Sequence, residues 1–279
     1  MSRPRVQPST RSAHASRPVV AVALLALTLA ACAERRQPVS APAPAPPLRV
    51  GIAPNFPPLA FKQTGNLAGI EVDFAQQLGP ALGMKMMLVE TPWDELIPAL
   101  RDHRIDVIMS GMSVTPARQK RVRFAHPYLR VGQMMVLRRA DAGHLRTAKM
   151  VDQRTTRVGF ISETTGEAYV HAHLPRAHAT AFASIDAGAA ALRARQIDVF
   201  VADAPAIYAL TATSADPHHE LLGRYEPLTE EYLAWAVRLD DAELQSRLNT
   251  VLSSWNSDGT LERVLGKWIH VRRKPRPAK

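Results

Sequence analysis

The residues best placed to do chemistry lie in Ser110-Gly111-Met112-Ser113-Val114-Thr115-Pro116-Ala117-Arg118, closed by Phe124-Ala125-His126-Pro127-Tyr128. An apolar run, Ile105 to Met109, precedes them and reads as a strand. Pro116 to Lys120 reads as a short polar helix. Two hydroxyls, a glycine and a guanidinium therefore gather at the carboxyl end of a strand, where open α/β sheets bind ligands. The planar fork of Arg118 matches a carboxylate in bidentate fashion, which a lysine cannot do. Ser110 and Ser113 orient polar atoms, and Gly111 allows a backbone N–H to approach a ligand. An Arg two residues after a Pro is also the ordinary make-up of a solvated helix end, and an isolated S-G-x-S says little. The order of all these residues, between a buried strand and a Pro-aromatic turn, gives the segment its weight.

Further candidates follow. Ser162-Glu163-Thr164-Thr165-Gly166-Glu167 succeeds the apolar strand Val158 to Ile161. Its hydroxyls and the N–H groups of a helix start hold a carboxylate oxygen, helped by the helix dipole. Capping by Thr164 or Thr165, with Glu167 completing a capping box, is compatible with that role. Asp203 ends the apolar run Phe200-Val201-Ala202 before a helix over 204–212, where an Asp serves as N-cap or as an anionic site. His171, His173, His218 and His219 invite a metal. An H-x-H on a helix turns its rings to different faces, and no Cys or acid has ligand spacing, so neither metal nor other cofactor is expected. Glu71 and Asp73, at a helix start, read as dipole-complementing charges.

The ends of the chain carry its charge. Of the formal +10, Arg3, Arg5, Arg11 and Arg17 supply four, the segment 33–47 one, and the tail beyond His270 five, which leaves 48–270 neutral. A nucleic-acid partner is thereby excluded for the folded part. The basic start, the apolar run Val19 to Ala31 and the ending Leu29-Ala30-Ala31-Cys32 read as a secretory signal with a lipobox. The run is shorter than the roughly 20 residues of a spanning helix. Cys32, the single cysteine, forms no intramolecular disulfide and is the expected lipidation site; the alternative is a free thiol in an ordinary signal cut near Ala-x-Ala. Residues 33–47, ending in alternating Ala and Pro, read as an extended, semi-rigid linker. Residues 271–279 read as a solvated basic tail.

Between these ends, strands and helices alternate. Strands are expected at Leu48 to Ile52, Met84 to Val89, Ile105 to Met109, Arg157 to Ile161, Thr180 to Ala183, Ile197 to Val201 and Leu233 to Val237. Helices are expected at Val72 to Leu82, shortened or kinked by Gly79-Pro80, and after Thr91 as cap with Pro92 first. Others span Glu167 to His173, Ile185 to Arg195, Asp241 to Ser254 and Thr260 to Ile269. Two α/β runs of similar order imply two lobes with a ligand in the cleft between them.

S-G-M-S-V-T-P-A-R followed by F-A-H-P-Y resembles the core motif of the family 3 solute-binding proteins, the periplasmic amino-acid-binding proteins of ABC importers; the likeness runs from Leu48 to Trp268. It implies an α/β, type II periplasmic-binding-protein fold with discontinuous lobes joined by a two-strand hinge. Lobe 1 is then 48–129 plus 233–270, and lobe 2 is 130–232. The resemblance assigns Arg118 to the ligand carboxylate, Asp203 to its ammonium, and Ser110, Gly111, Ser113, Thr164 and Thr165 to the head group. It sets Phe56 and Trp93 as aromatic walls, although helical spacing also allows Trp93 in a core. Two departures bear on the site: Glu163 stands where relatives have glycine, and Ala53 where many have an aspartate for a cationic side chain. The implied protein is a monomeric, non-enzymatic binder of a free amino acid. It is lipid-anchored in the periplasm or at the cell surface and delivers to an ABC permease in the inner membrane. A cyclohexadienyl dehydratase, with Glu163 or Glu167 as general acid, and a sensory lipoprotein are the alternatives.

Overall fold

Two tetrapeptides in the chain nearly repeat each other, Arg49-Val50-Gly51-Ile52 and Arg157-Val158-Gly159-Phe160. Each is answered downstream by an Ile-Asp-Val, at Ile105-Asp106-Val107 and Ile197-Asp198-Val199. In the computed structural model, which describes residues 46–212, 218–224 and 226–269, these four segments found two sheets built alike. The leader, Cys32, the linker up to residue 45 and the basic tail lie outside the described residues. The Arg49 side chain grips Asp106 through Nε at 2.9 Å and Nη2 at 2.8 Å, and its N–H donates to the same carboxylate. Arg157 treats Asp198 in the same way, at 3.0 and 2.7 Å. These bidentate forks lock Leu48–Ile52 and Arg157–Ile161 each to a strand beside it. Gly51 and Gly159 leave room for Ile105 and Ile197, whose side chains a Cβ at either glycine would strike.

The first sheet runs Met86–Glu90, Leu48–Ile52, Val107–Ile108, Ala236–Val237, Arg123–Phe124, its first three strands parallel and the others joined antiparallel. The second runs His178–Phe182, Arg157–Ile161, Val199–Asp203, Gln133–Arg138, Leu221–Arg224, on the same plan. Both are buried on two faces. Along Val199–Asp203, Val199 and Val201 enter one apolar cluster and Phe200 and Ala202 the other, the period of two expected of a strand. Leu129–Val131 and Glu231–Leu233, which join the sheets, pair antiparallel with each other.

Several elements differ from the sequence reading. The first helix, Ile70–Leu82, starts earlier and runs through Gly79-Pro80, ending only at Gly83 with φ 64°. Its buried face, Phe74, Ala75 and Leu78, holds it against the sheet despite the proline. Thr91 caps nothing: its hydroxyl donates to the Val89 carbonyl at 3.1 Å, and the helix begins later, as Leu96–Arg101. Trp93 consequently sits in a turn. The single strand expected at Leu233 to Val237 is two, Glu231–Leu233 and Ala236–Val237, in different sheets. Other helix and strand ends shift by a few residues; the closing helices are Ala242–Asp258 and Thr260–Trp268. No helix among the described residues is long and apolar enough to cross a membrane.

The Arg157–Asp198 fork generates a prediction. Hydrogen bonds from Arg157 and Arg138 hold the Asp198 carboxyl at about 2, below its ordinary range. Its stabilisation is therefore present above about pH 4 and lost as pH falls toward 2. Asp198→Asn should lower the unfolding free energy by about 2 kcal/mol at pH 7, and by progressively less below pH 4, in urea titrations.

Candidate functional site

The carboxyl ends of both sheets' parallel strands face one cleft. All nine residues singled out from sequence line it: Phe56, Trp93, Ser110, Gly111, Ser113, Arg118, Thr164, Thr165 and Asp203. Asn55, Ile161, Ala183 and Ser184 complete the wall.

Arg118 is placed by its own short helix, Pro116–Gln119. The Thr115 hydroxyl accepts the Arg118 N–H at 3.2 Å, and Pro116 occupies the first turn, where an N–H has no helical partner. The guanidinium donates to the Ser113 carbonyl at 3.0 Å and, across the cleft, to the Glu163 carbonyl at 3.1 Å. It also lies 5.3 Å from the Trp93 ring centre. Burial lowers its pKa, against the pull of Asp203, Glu231 and Glu163.

Asp203 ends its strand 6% exposed. It stands at the N-cap position of Ala204–Thr211 but makes no side-chain cap bond, which removes the capping alternative. Gln133 Nε2 donates to it at 2.8 Å and to the Thr165 hydroxyl at 2.9 Å. Burial, with Glu231 nearby, pushes the Asp203 carboxyl up to about 7 despite Arg118 and Gln133. Among the described residues, neither Arg118 nor Asp203 has an ion-pair partner within 4.0 Å. Each charge keeps bonding capacity directed into the cleft.

The turn at Glu163 has the backbone conformation that glycine adopts without strain. Glu163 takes the left-handed backbone, φ 60°, and is exposed. Its carbonyl accepts from both Arg118 and Trp93 Nε1 (3.1 Å each), and its N–H donates to Glu167 at 2.7 Å. Thr164 caps Thr165–His173 by accepting the Glu167 N–H at 3.4 Å, but the expected capping box is not completed, because Glu167 accepts from the Glu163 N–H rather than from that of Thr164. Neither Glu163 nor Glu167 lines the cleft.

Two expectations are corrected. The Gly111 N–H does not face the cleft; it donates to Glu71 Oε1 at 2.6 Å. Glycine is required there because φ is 68° and a Cβ would strike Leu59. Glu71 is no dipole-complementing surface charge. It is wholly buried and also accepts from Tyr128 Oη at 2.6 Å and Trp235 Nε1 at 2.9 Å. Burial raises its pKa to about 7, against these three bonds. Asp73 meanwhile accepts from Lys267 and Trp268, both at 2.8 Å, and so ties down the last helix. Ala53 is 1% exposed and packs beside Ile97 and Met112, its N–H donating to Ser110 Oγ at 2.9 Å. Trp93 packs on that cluster and also lines the cleft.

Glu231 was missed. It lies 9% exposed in the strand that joins the sheets, and three hydroxyls donate to it at 2.7 Å: Ser113, Thr165 and Thr229. Period-two alternation with buried Leu233 was the available signal. For Glu71 the signal was a charge sharing the helical face of Ala75 and Leu78. His171 and His173 pack edge-on against different rings, Phe160 and Tyr169, and no three His, Cys, Asp or Glu converge among the described residues.

Comparison with known proteins follows this geometry. The profile of bacterial extracellular solute-binding proteins, family 3, matches residues 48–271. The L-cystine-binding protein TcyJ of Escherichia coli K12 is 28% identical over 223 residues, covering 80% of this chain and 82% of TcyJ. A cyclohexadienyl dehydratase of Pseudomonas aeruginosa is 32% identical over 131 residues, 47% of this chain and 49% of the enzyme. An ancestral arginine-binding protein bound to arginine superposes with a TM-score of 0.75 at 28% identity, covering 81% of this chain and 100% of that one. The fold is thus the α/β fold of type II periplasmic binding proteins.

Two variants test the supporting structure. Glu163→Gly should stabilise the protein by up to about 1 kcal/mol in urea unfolding, since glycine adopts a positive φ without the Cβ clash. Glu71 holds its proton more tightly in the fold than when unfolded, so its contribution is full below about pH 4.5 and lost as pH rises to about 7. The unfolding free energy of Glu71→Gln relative to the parent should therefore rise by roughly 3 kcal/mol between pH 4.5 and 8.

Proposed function

From the premise that this chain belongs to the bacterial extracellular solute-binding proteins, family 3, we propose that it captures a free α-amino acid and delivers it to an ABC permease. The observation that carries this reading is a half-buried guanidinium and a buried carboxylate on one cleft, each directed at the cleft rather than at the other. A zwitterion supplies what both require. Its carboxylate meets the Arg118 fork and the N–H groups that open helix Thr165–His173, where the helix dipole favours negative charge. Its ammonium meets Asp203. Residues 48–129 with 233–270 form one lobe and 130–232 the other, turning about the paired strands Leu129–Val131 and Glu231–Leu233. Binding energy that spans both lobes then selects the closed state. Cys32 carries the lipid, the Pro/Ala-rich segment holds the domain off the membrane, and the molecule acts as a monomer outside the cytoplasm.

No catalytic step is assigned. A dehydratase requires a general acid at the substrate. Glu167 is turned to the Glu163 N–H, neither glutamate lines the cleft, and Asp203 serves the ammonium. Prephenate should give no phenylpyruvate in a coupled assay; measurable turnover would overturn the binding reading.

Isothermal titration tests the two charges. Arg118→Ala and Asp203→Asn should each weaken amino-acid binding by about 3–5 kcal/mol, because each leaves the opposing ligand charge buried without its partner. Near-parental affinity in either variant removes that residue from the site. Binding of an ammonium requires ionised Asp203, whose pKa before binding is raised to about 7. Affinity should therefore fall about tenfold per pH unit below 7 and level off above it, a dependence absent in Asp203→Asn.

A further inference from the structure

The part of the cleft that Arg118 and Asp203 do not occupy carries no charge. Its wall is Asn55, Phe56, Trp93, Ile161, Ala183 and Ser184. Among the described residues, the neighbouring carboxylates other than Glu163, which is exposed and stands outside the wall, are engaged or turned away. Glu71 is buried beneath Gly111 with three donors, Glu231 accepts three hydroxyls, and Glu167 is turned to a backbone N–H. Ala53 faces its own apolar cluster. Building on the amino-acid reading above, we infer that this wall selects a ligand whose side chain is uncharged and hydrogen-bonding, and rejects lysine and arginine.

Three observations support the selection. First, apart from Asp203, which the ammonium takes, a cationic side chain meets no carboxylate among the described residues that line the cleft, while Arg118 repels it, and a desolvated charge without a partner is strongly unfavourable. Second, the aromatic wall offers little substitute, since the face of Trp93 is already taken by Arg118 at 5.3 Å. A second ligand carboxylate fares no better, because among the described residues Arg118 is the one cation lining the cleft and Asp203 opposes it. Third, the wall retains neutral bonding capacity. Asn55 Nδ2 donates to the Ala183 carbonyl at 3.0 Å, which leaves its Oδ1 to accept. Ser184 Oγ accepts the Ala187 N–H at 3.1 Å, which leaves its proton to donate. Neither Asn55 Oδ1 nor the Ser184 proton has a partner among the described residues. An amide or hydroxyl side chain complements both, with Phe56 and Trp93 covering its methylenes.

The test is isothermal titration at pH 7.5 against L-glutamine, L-asparagine, L-serine, L-arginine, L-lysine and L-glutamate, with the parent chain and Asn55→Asp. Asn55 is exposed, so the change leaves the core intact, although it removes the Nδ2 bond to the Ala183 carbonyl. At least one neutral ligand should bind the parent roughly 100-fold or more tighter than arginine or lysine. Asn55→Asp should narrow that gap at least about tenfold by providing the missing anion. Arginine or lysine binding the parent as tightly as the best neutral ligand overturns the inference and leaves the amino-acid reading standing. Selectivity unchanged in Asn55→Asp overturns the assignment of this wall to the ligand side chain. Failure of every amino acid to bind overturns both.

Discussion

Arg118, half-buried, and Asp203, buried, are opposite charges on one cleft that do not neutralise each other. Arg118 is held by two carbonyls and Asp203 by one amide, so both remain ionisable groups in search of a counter-charge. A direct ion pair would have quenched them; full burial without any partner would be prohibitive. Keeping them apart in a shared cleft creates a slot whose complement is a small molecule with a carboxylate and an ammonium together. The raised pKa of Asp203 and the lowered pKa of Arg118 are two expressions of that arrangement.

The rest of the fold keeps these charges in place. The two Arg–Asp forks fix the strands whose ends carry the site, once in each sheet. Glu71 pins the loop at Gly111 to Tyr128 and Trp235, and Glu231 draws a hydroxyl from each side of the cleft. Bonds from Asn55 to Ala183, and from Trp93 and Arg118 to Glu163, close the wall. Every one of these ties joins residues distant in sequence. The site is therefore a property of the assembled sheets, and a change in any tie is felt at the charges.

That distance explains what could be read from the sequence and what could not. The S-G-x-S to Arg118 segment was legible because a strand, a cap and a short helix place Arg118 locally, through Thr115 and Pro116. Asp203 was legible as a strand-end acid, but only its missing cap bond separates its two roles. Glu71 and Glu231 were misread or missed because their partners lie 40 and 118 residues away, at Gly111 and Ser113. The helix expected from Thr91 starts only at Leu96, with the Thr91 hydroxyl engaged by the Val89 carbonyl instead of capping it. The strand predicted at Leu233 to Val237 failed because the alternation of apolar residues says nothing about where a strand passes from one sheet to another.

The direct test of the zwitterion slot is calorimetric comparison of the best-binding L-amino acid with two analogues, its primary amide and its deaminated acid. Each analogue retains the side chain and loses one charge of the head group. If Arg118 and Asp203 act as a pair divided by the ligand, both analogues should bind roughly 100-fold or more weakly than the parent amino acid. Either analogue binding within a few-fold of the amino acid would contradict the division of charge on which the site rests.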